Sequence, residues 1–186
     1  KQKYVCTADS NLFLYATEKN TPHHYLRYSL NGVFPSTGIY FDNDIDPQRW
    51  NQISRDLNIS IEDYKTRGST ILLCLQRDGG WSMGQESVLS WTVDTVNELR
   101  KYTDRNIKIR CHPKDNKSFE YINKLKSFYA NDKSIVFSKT NVPIEEDLKN
   151  TWAVINKNSS SIVGPIIKGY YSFVTDPKSS QCAEVS

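Results

Sequence analysis

Apolar positions change their spacing near Gly68. Before it, Tyr25-Leu26-Arg27-Tyr28, Gly38-Ile39-Tyr40-Phe41 and Trp50 to Ile61 are aromatic-rich and interrupted by Pro22, Pro35 and Pro47. That texture predicts loops, short extended pieces and one helix around Trp50 to Leu57. After it, short apolar runs alternate with longer segments of helical period. Ile71-Leu72-Leu73-Cys74-Leu75 is continuous, as in a strand covered on both faces of a parallel sheet. Past a loop that holds Gly79 and Gly80, the positions Leu89, Val93, Val96 and Leu99 recur at helical intervals.

The unit repeats. Asn106 to Cys111 alternates like a strand and stops at His112-Pro113, and Phe119, Ile122, Leu125 and Phe128 predict an amphipathic helix. Ser134 to Phe137 reads as a third strand, Pro143 with Glu145, Glu146 and Asp147 as a helix start, and Trp152 to Ile155 as a fourth strand. Asn158-Ser159-Ser160-Ser161 supplies cap residues for a short helix over Ile162 to Lys168 that Gly169 ends. Tyr170 to Val174 is the fifth strand, and Ser179 or Ser180 is expected to cap one more helix. Strands alternating with helices predict an α/β fold with a parallel, Rossmann-like sheet over 69–186, preceded by a smaller irregular region, 1–68. The chain begins at Lys1 and stops just after a predicted helix start. It therefore reads as a portion of something longer, its second domain truncated at the C-terminus.

Composition narrows the classes. With 24 Lys and Arg against 21 Asp and Glu, the net charge of +3 excludes a generic nucleic-acid glove, and a hydrophobic fraction of 38% excludes disorder as the main state. The basic excess is local, with 12 basic and 7 acidic residues between 100 and 150, which suits a phosphorylated ligand. No stretch approaches the ~18 apolar residues of a membrane span. The four cysteines form no CxxC pair and no zinc spacing. Cys74 and Cys111 in apolar runs favour a reducing, cytoplasmic setting.

Ligands of open α/β sheets bind at the carboxyl ends of the strands. Arg77 with Gly79, Gly80 and Trp81 follows the first strand, Arg110 and His112 the second, Asn158 to Ser161 the fourth, and Asp176 the fifth. The glycines permit close backbone approach to phosphate or form an ordinary turn, and Trp81 either stacks on a base or sugar or plugs a packing gap. In an extended strand Arg110 and His112 point to one face, where a guanidinium and an imidazole can address one anion. Three hydroxyls at a helix start either bind phosphate or serve as capping alone, which needs only one of them, and Glu184 suits either ribose hydroxyls or the helix dipole.

Taken in order, the glycine loop, Arg110-Cys111-His112-Pro113, Asn158 to Ser161, Gly169 to Pro177 and Ser180 to Glu184 resemble the C-terminal, donor-binding domain of GT-B glycosyltransferases. Within that class the pattern resembles capsule-polysaccharide-type and phage-encoded transferases, over Ser69 to Ser186. The resemblance implies Arg110 and His112 near the diphosphate, Ser159 to Ser161 at the phosphate and Glu184 at the ribose. It implies a sugar nucleotide as donor substrate, no further cofactor, and an acceptor such as a polysaccharide or a modified DNA base. His23 or His24, the remaining histidines, are the candidate catalytic base. No metal is expected: Asp42-Asn43-Asp44-Ile45-Asp46 lacks the glycine and distal glutamate of a calcium loop and reads as a solvated turn. The alternative to an enzyme is a non-catalytic nucleotide- or phosphosugar-binding module.

Overall fold

The computed structural model describes residues 3–9, 12–13, 26–40, 46–139 and 141–186. In the first region β1 (Cys6–Asp9) pairs antiparallel with β2 (Arg27–Leu30), and Ile39 bridges to Leu30. Helix α1 (Pro47–Asp56) begins earlier than its apolar spacing implies, because Asp46 caps it and Pro47 takes the first position. The Asp46 carboxylate accepts the Gln48 N–H at 2.8 Å.

From Thr70 onward the alternation unfolds as predicted: β3 (Thr70–Cys74), α2 (Val88–Arg100), β4 (Asn106–Arg110), α3 (Ser118–Phe128), β5 (Ile135–Phe137), α4 (Ile144–Leu148), β6 (Thr151–Asn156), α5 (Val163–Ile167) and β7 (Tyr171–Val174). All five strands of this sheet are parallel, in the order β5-β4-β3-β6-β7. The order is Rossmann-like, and it reverses direction between β3 and β6, the point outside which such sheets bind ligands.

Strand β3 is buried along its whole length because both faces are covered. Ile71 and Leu73 join Ile107, Ile109 and Ile155 under Val88, Trp91 and Val96 of α2 and Tyr121 and Leu125 of α3. Leu72 and Cys74 join Val154 under Leu148 of α4. In α3 the buried stripe differs from the expected one. Tyr121 and Leu125 are buried and Ile122 and Tyr129 pack beside them, whereas Phe119 is 75% and Phe128 66% exposed. Steps of three residues rotate about 60° each around a 3.6-residue helix, so Phe119 and Phe128 lie half a turn apart and cannot share a face.

Helix α5 ends as expected, with Gly169 at φ +74° and its N–H donating to the Ile166 carbonyl at 3.0 Å. The helix expected after β7 is instead a single 3-10 turn, Pro177–Ser179. The Ser180 hydroxyl accepts the Cys182 N–H at 3.1 Å, a local bond that competes with helix propagation. Among the described residues no helix is long and apolar enough to cross a membrane.

Candidate functional site

The switch point is floored by amides. Leu73 pairs with Ile155 and Cys74 with Arg110, so the chain continues with Gln76 between Asn158 on one side and His112 on the other. The buried Asn158 side chain accepts from the Gln76 amide and donates to the Ser82 carbonyl and to Asp176 Oδ2, each at 3.1 Å. Asn158 and Asp176 therefore tie together the loops after β3, β6 and β7, and both Asn158 amide hydrogens are taken by protein. Two of the serines also take bonds from the protein. Ser159 Oγ accepts the Ser161 N–H at 3.1 Å as the helix cap, and Ser161 Oγ accepts from Asn156 Nδ2 at 3.3 Å. Ser160 is exposed.

Above this floor stands the glycine loop. Gly79 has φ +68°, the left-handed region that favours glycine, and a Cβ there would lie 3.8 Å from Lys117 Nζ. Trp81 is 77% exposed, and its ring lies 5.7 Å from that of Phe34. The same turn of the first region is tied to the segment after β7, since Ser36 Oγ donates to the Lys178 carbonyl and Gln181 Nε2 to the Val33 carbonyl. Glu184 is exposed beyond that segment.

Arg77 is exposed; its carbonyl accepts the Gly80 N–H at 3.2 Å, and its guanidinium makes no hydrogen bond or ion pair with a described residue. It lies close enough to His112 for its charge to help hold the imidazole pKa below the usual histidine range, after burial as the larger cause; Lys114 adds to the effect and Asp115 opposes it. His112 Nδ1 accepts the Lys114 N–H at 3.1 Å, which puts the proton of the neutral ring on Nε2 as a hydrogen-bond donor.

Arg110 has other partners. Its Nη1 donates to Asp147 Oδ2 at 2.6 Å and its Nη2 to the Val142 carbonyl at 2.9 Å. Asp147, buried on α4, also accepts from Ser138 Oγ at 2.6 Å and lies 3.4 Å from Lys108 Nζ. The pairing of Lys108 with Leu72 and Arg110 with Cys74 aligns both with the α4 side of the sheet. Because β4 ends at Arg110, strand alternation does not carry on to His112. Both residues border a cleft of about 620 Å³ whose walls include Phe119, Lys126, Ser138 and Lys139, yet the Arg110 guanidinium is anchored in the protein. Burial pushes the Cys74 thiol up to about 12 and Cys111 to about 11, so neither is a thiolate at neutral pH.

His23 and His24 lie outside the described residues, as do Asp42 and Asp44. Among the described residues no group of three or more His, Cys, Asp or Glu is arranged to hold a metal ion. Sequence reasoning missed Lys117, Asp147 and Asp115. The signal for Asp115 was its place after Pro113, since aspartate commonly accepts the N–H two residues on, here Lys117 at 3.0 Å. No protein-family model matches the chain, and no curated protein matches it.

Proposed function

We propose that the chain is the donor-binding part of a glycosyltransferase and holds a nucleoside diphosphate sugar at the carboxyl edge of its sheet. One observation carries the reading: Arg77, without an ion pair among the described residues, is near enough for its charge to act on His112, a neutral ring with its proton on Nε2, where the loops after β3 and β4 meet at the carboxyl edge of the parallel sheet. Arg77 supplies a fork for two phosphate oxygens, His112 a hydrogen bond, and Lys117 a charge above the Gly79 turn, where backbone can approach closely. As the bond between the anomeric carbon and the diphosphate oxygen breaks, its electron pair leaves with the nucleoside diphosphate, and these donors stabilise the charge that develops. The acceptor hydroxyl bonds to the anomeric carbon and gives its proton to a base, a role for which His23 or His24 is the candidate.

The test measures release of nucleoside diphosphate from a panel of sugar nucleotides, with and without EDTA, alongside calorimetric titration of UDP and GDP. Turnover that survives chelation and weakens in Arg77→Ala supports the proposal. Binding without turnover assigns the chain to the non-catalytic module instead. Absence of binding to every nucleoside diphosphate in the panel refutes both.

A further inference from the structure

Asp115 is 7% exposed and forms no salt bridge among the described residues, although burying an unpaired carboxylate is costly. Three donors converge on it from three elements. Its Oδ2 accepts the Asp78 N–H at 3.1 Å, from the loop after β3, and the Tyr121 hydroxyl at 2.9 Å, from α3. Its Oδ1 accepts the Lys117 N–H at 3.0 Å, from the turn after β4. Asp78 is the residue between Arg77 and Gly79, and its own carboxylate accepts the Val88 N–H at the start of α2 at 2.9 Å. An asparagine at position 115 has one acceptor oxygen and cannot take all three bonds.

We propose that Asp115 is a positioning residue that holds the Arg77 to Gly80 loop and Lys117 against His112, so that donors from two separate loops meet one diphosphate; this rests on the reading of the carboxyl edge given above. The carboxylate acts through its neighbours and touches no ligand. Its charge also faces His112, together with those of Arg77 and Lys114, so removing it should alter the imidazole titration as well as the loop geometry.

The experiment compares wild type, Asp115→Asn and Tyr121→Phe by NMR and by calorimetric titration of UDP. In Asp115→Asn, amide exchange at Asp78 and Lys117 should quicken, the His112 pKa should fall below its wild-type value, and UDP should bind about tenfold or more weakly. Tyr121→Phe keeps the charge and removes one donor. It should leave the His112 pKa near wild type while weakening UDP by only about threefold, and it carries the affinity test if Asp115→Asn does not fold. Unchanged exchange, unchanged His112 titration and unchanged UDP affinity in a folded Asp115→Asn would overturn the proposal, as would unaltered binding in Tyr121→Phe if that variant alone folds. If wild type itself fails to bind UDP, the diphosphate reading falls. The exchange rates and the His112 titration then still decide whether Asp115 clamps the two loops.

Discussion

Arg110 lies in a predicted phosphate-binding motif, but its contacts assign it to the scaffold, and Arg110→Met separates the two roles. The side chain is 14% exposed and that of its partner Asp147 is 6% exposed, so the substitution strands a buried carboxylate. Breaking a buried ion pair from one side costs about 3–5 kcal/mol. The lower end applies here, because Ser138 Oγ at 2.6 Å and Lys108 Nζ at 3.4 Å remain with Asp147. A loss of about 3 kcal/mol corresponds to a fall in Tm of roughly 6–12 °C for a chain of this size. Urea and thermal unfolding measure it directly. The double variant Arg110→Met, Asp147→Leu replaces the pair with apolar volume between β4 and α4 and should recover most of the loss, since such replacements are often neutral. UDP affinity in Arg110→Met, measured well below its Tm, should stay within about threefold of wild type. If instead stability changes by less than about 0.5 kcal/mol while UDP binding falls, the guanidinium serves the ligand and the scaffold assignment is wrong.

Three further outcomes follow from the geometry. Arg77→Ala should weaken UDP binding about ten- to a hundredfold, the loss of a charge-assisted bond worth about 1.5–3 kcal/mol, with Tm unchanged because the side chain has no protein partner among the described residues. His112 has a folded-state pKa below its unfolded value, so it contributes stability above about pH 6.5 that is lost as pH falls toward the folded pKa; denaturant titrations should show this slope in wild type and a flatter one in His112→Gln. An anion bound beside the ring raises that pKa, so UDP affinity should rise on acidification through the same window. Gly169→Ala should destabilise by more than about 2 kcal/mol, since φ is +74° and a Cβ would lie 2.0 Å from the Asp63 carbonyl oxygen; thermal unfolding checks it.

Much of the scaffold is readable from local pattern. The continuous run at Ile71 and the alternation of Ile107 with Ile109 mark strands because a buried parallel sheet demands those patterns. Gly169 closes α5 because little else tolerates its dihedral angles beside Asp63. The candidate site is less legible. Asn158 and Ser159 to Ser161 read as ligand groups by type, but Gln76, Ser82 and Asp176 hold the Asn158 side chain, and Ser159 Oγ and Ser161 Oγ each accept one bond within the protein. The Asn158 partners, 18 to 82 residues away, leave no local trace.

By itself, then, the sequence determined the βα alternation, the parallel sense and the carboxyl-edge positions of Arg77, Gly79 and His112, since these depend on side-chain period and on residues near in the chain. Tertiary structure alone decided the strand order that sets the switch point between β3 and β6. It also decided which stripe of α3 is buried, and that of two arginines at neighbouring strand ends Arg110 binds Asp147 while Arg77 does not. The physical reason is that a guanidinium is claimed by whichever carboxylate the fold buries beside it. Asp147, 37 residues beyond Arg110, is brought there only when α4 packs on the sheet.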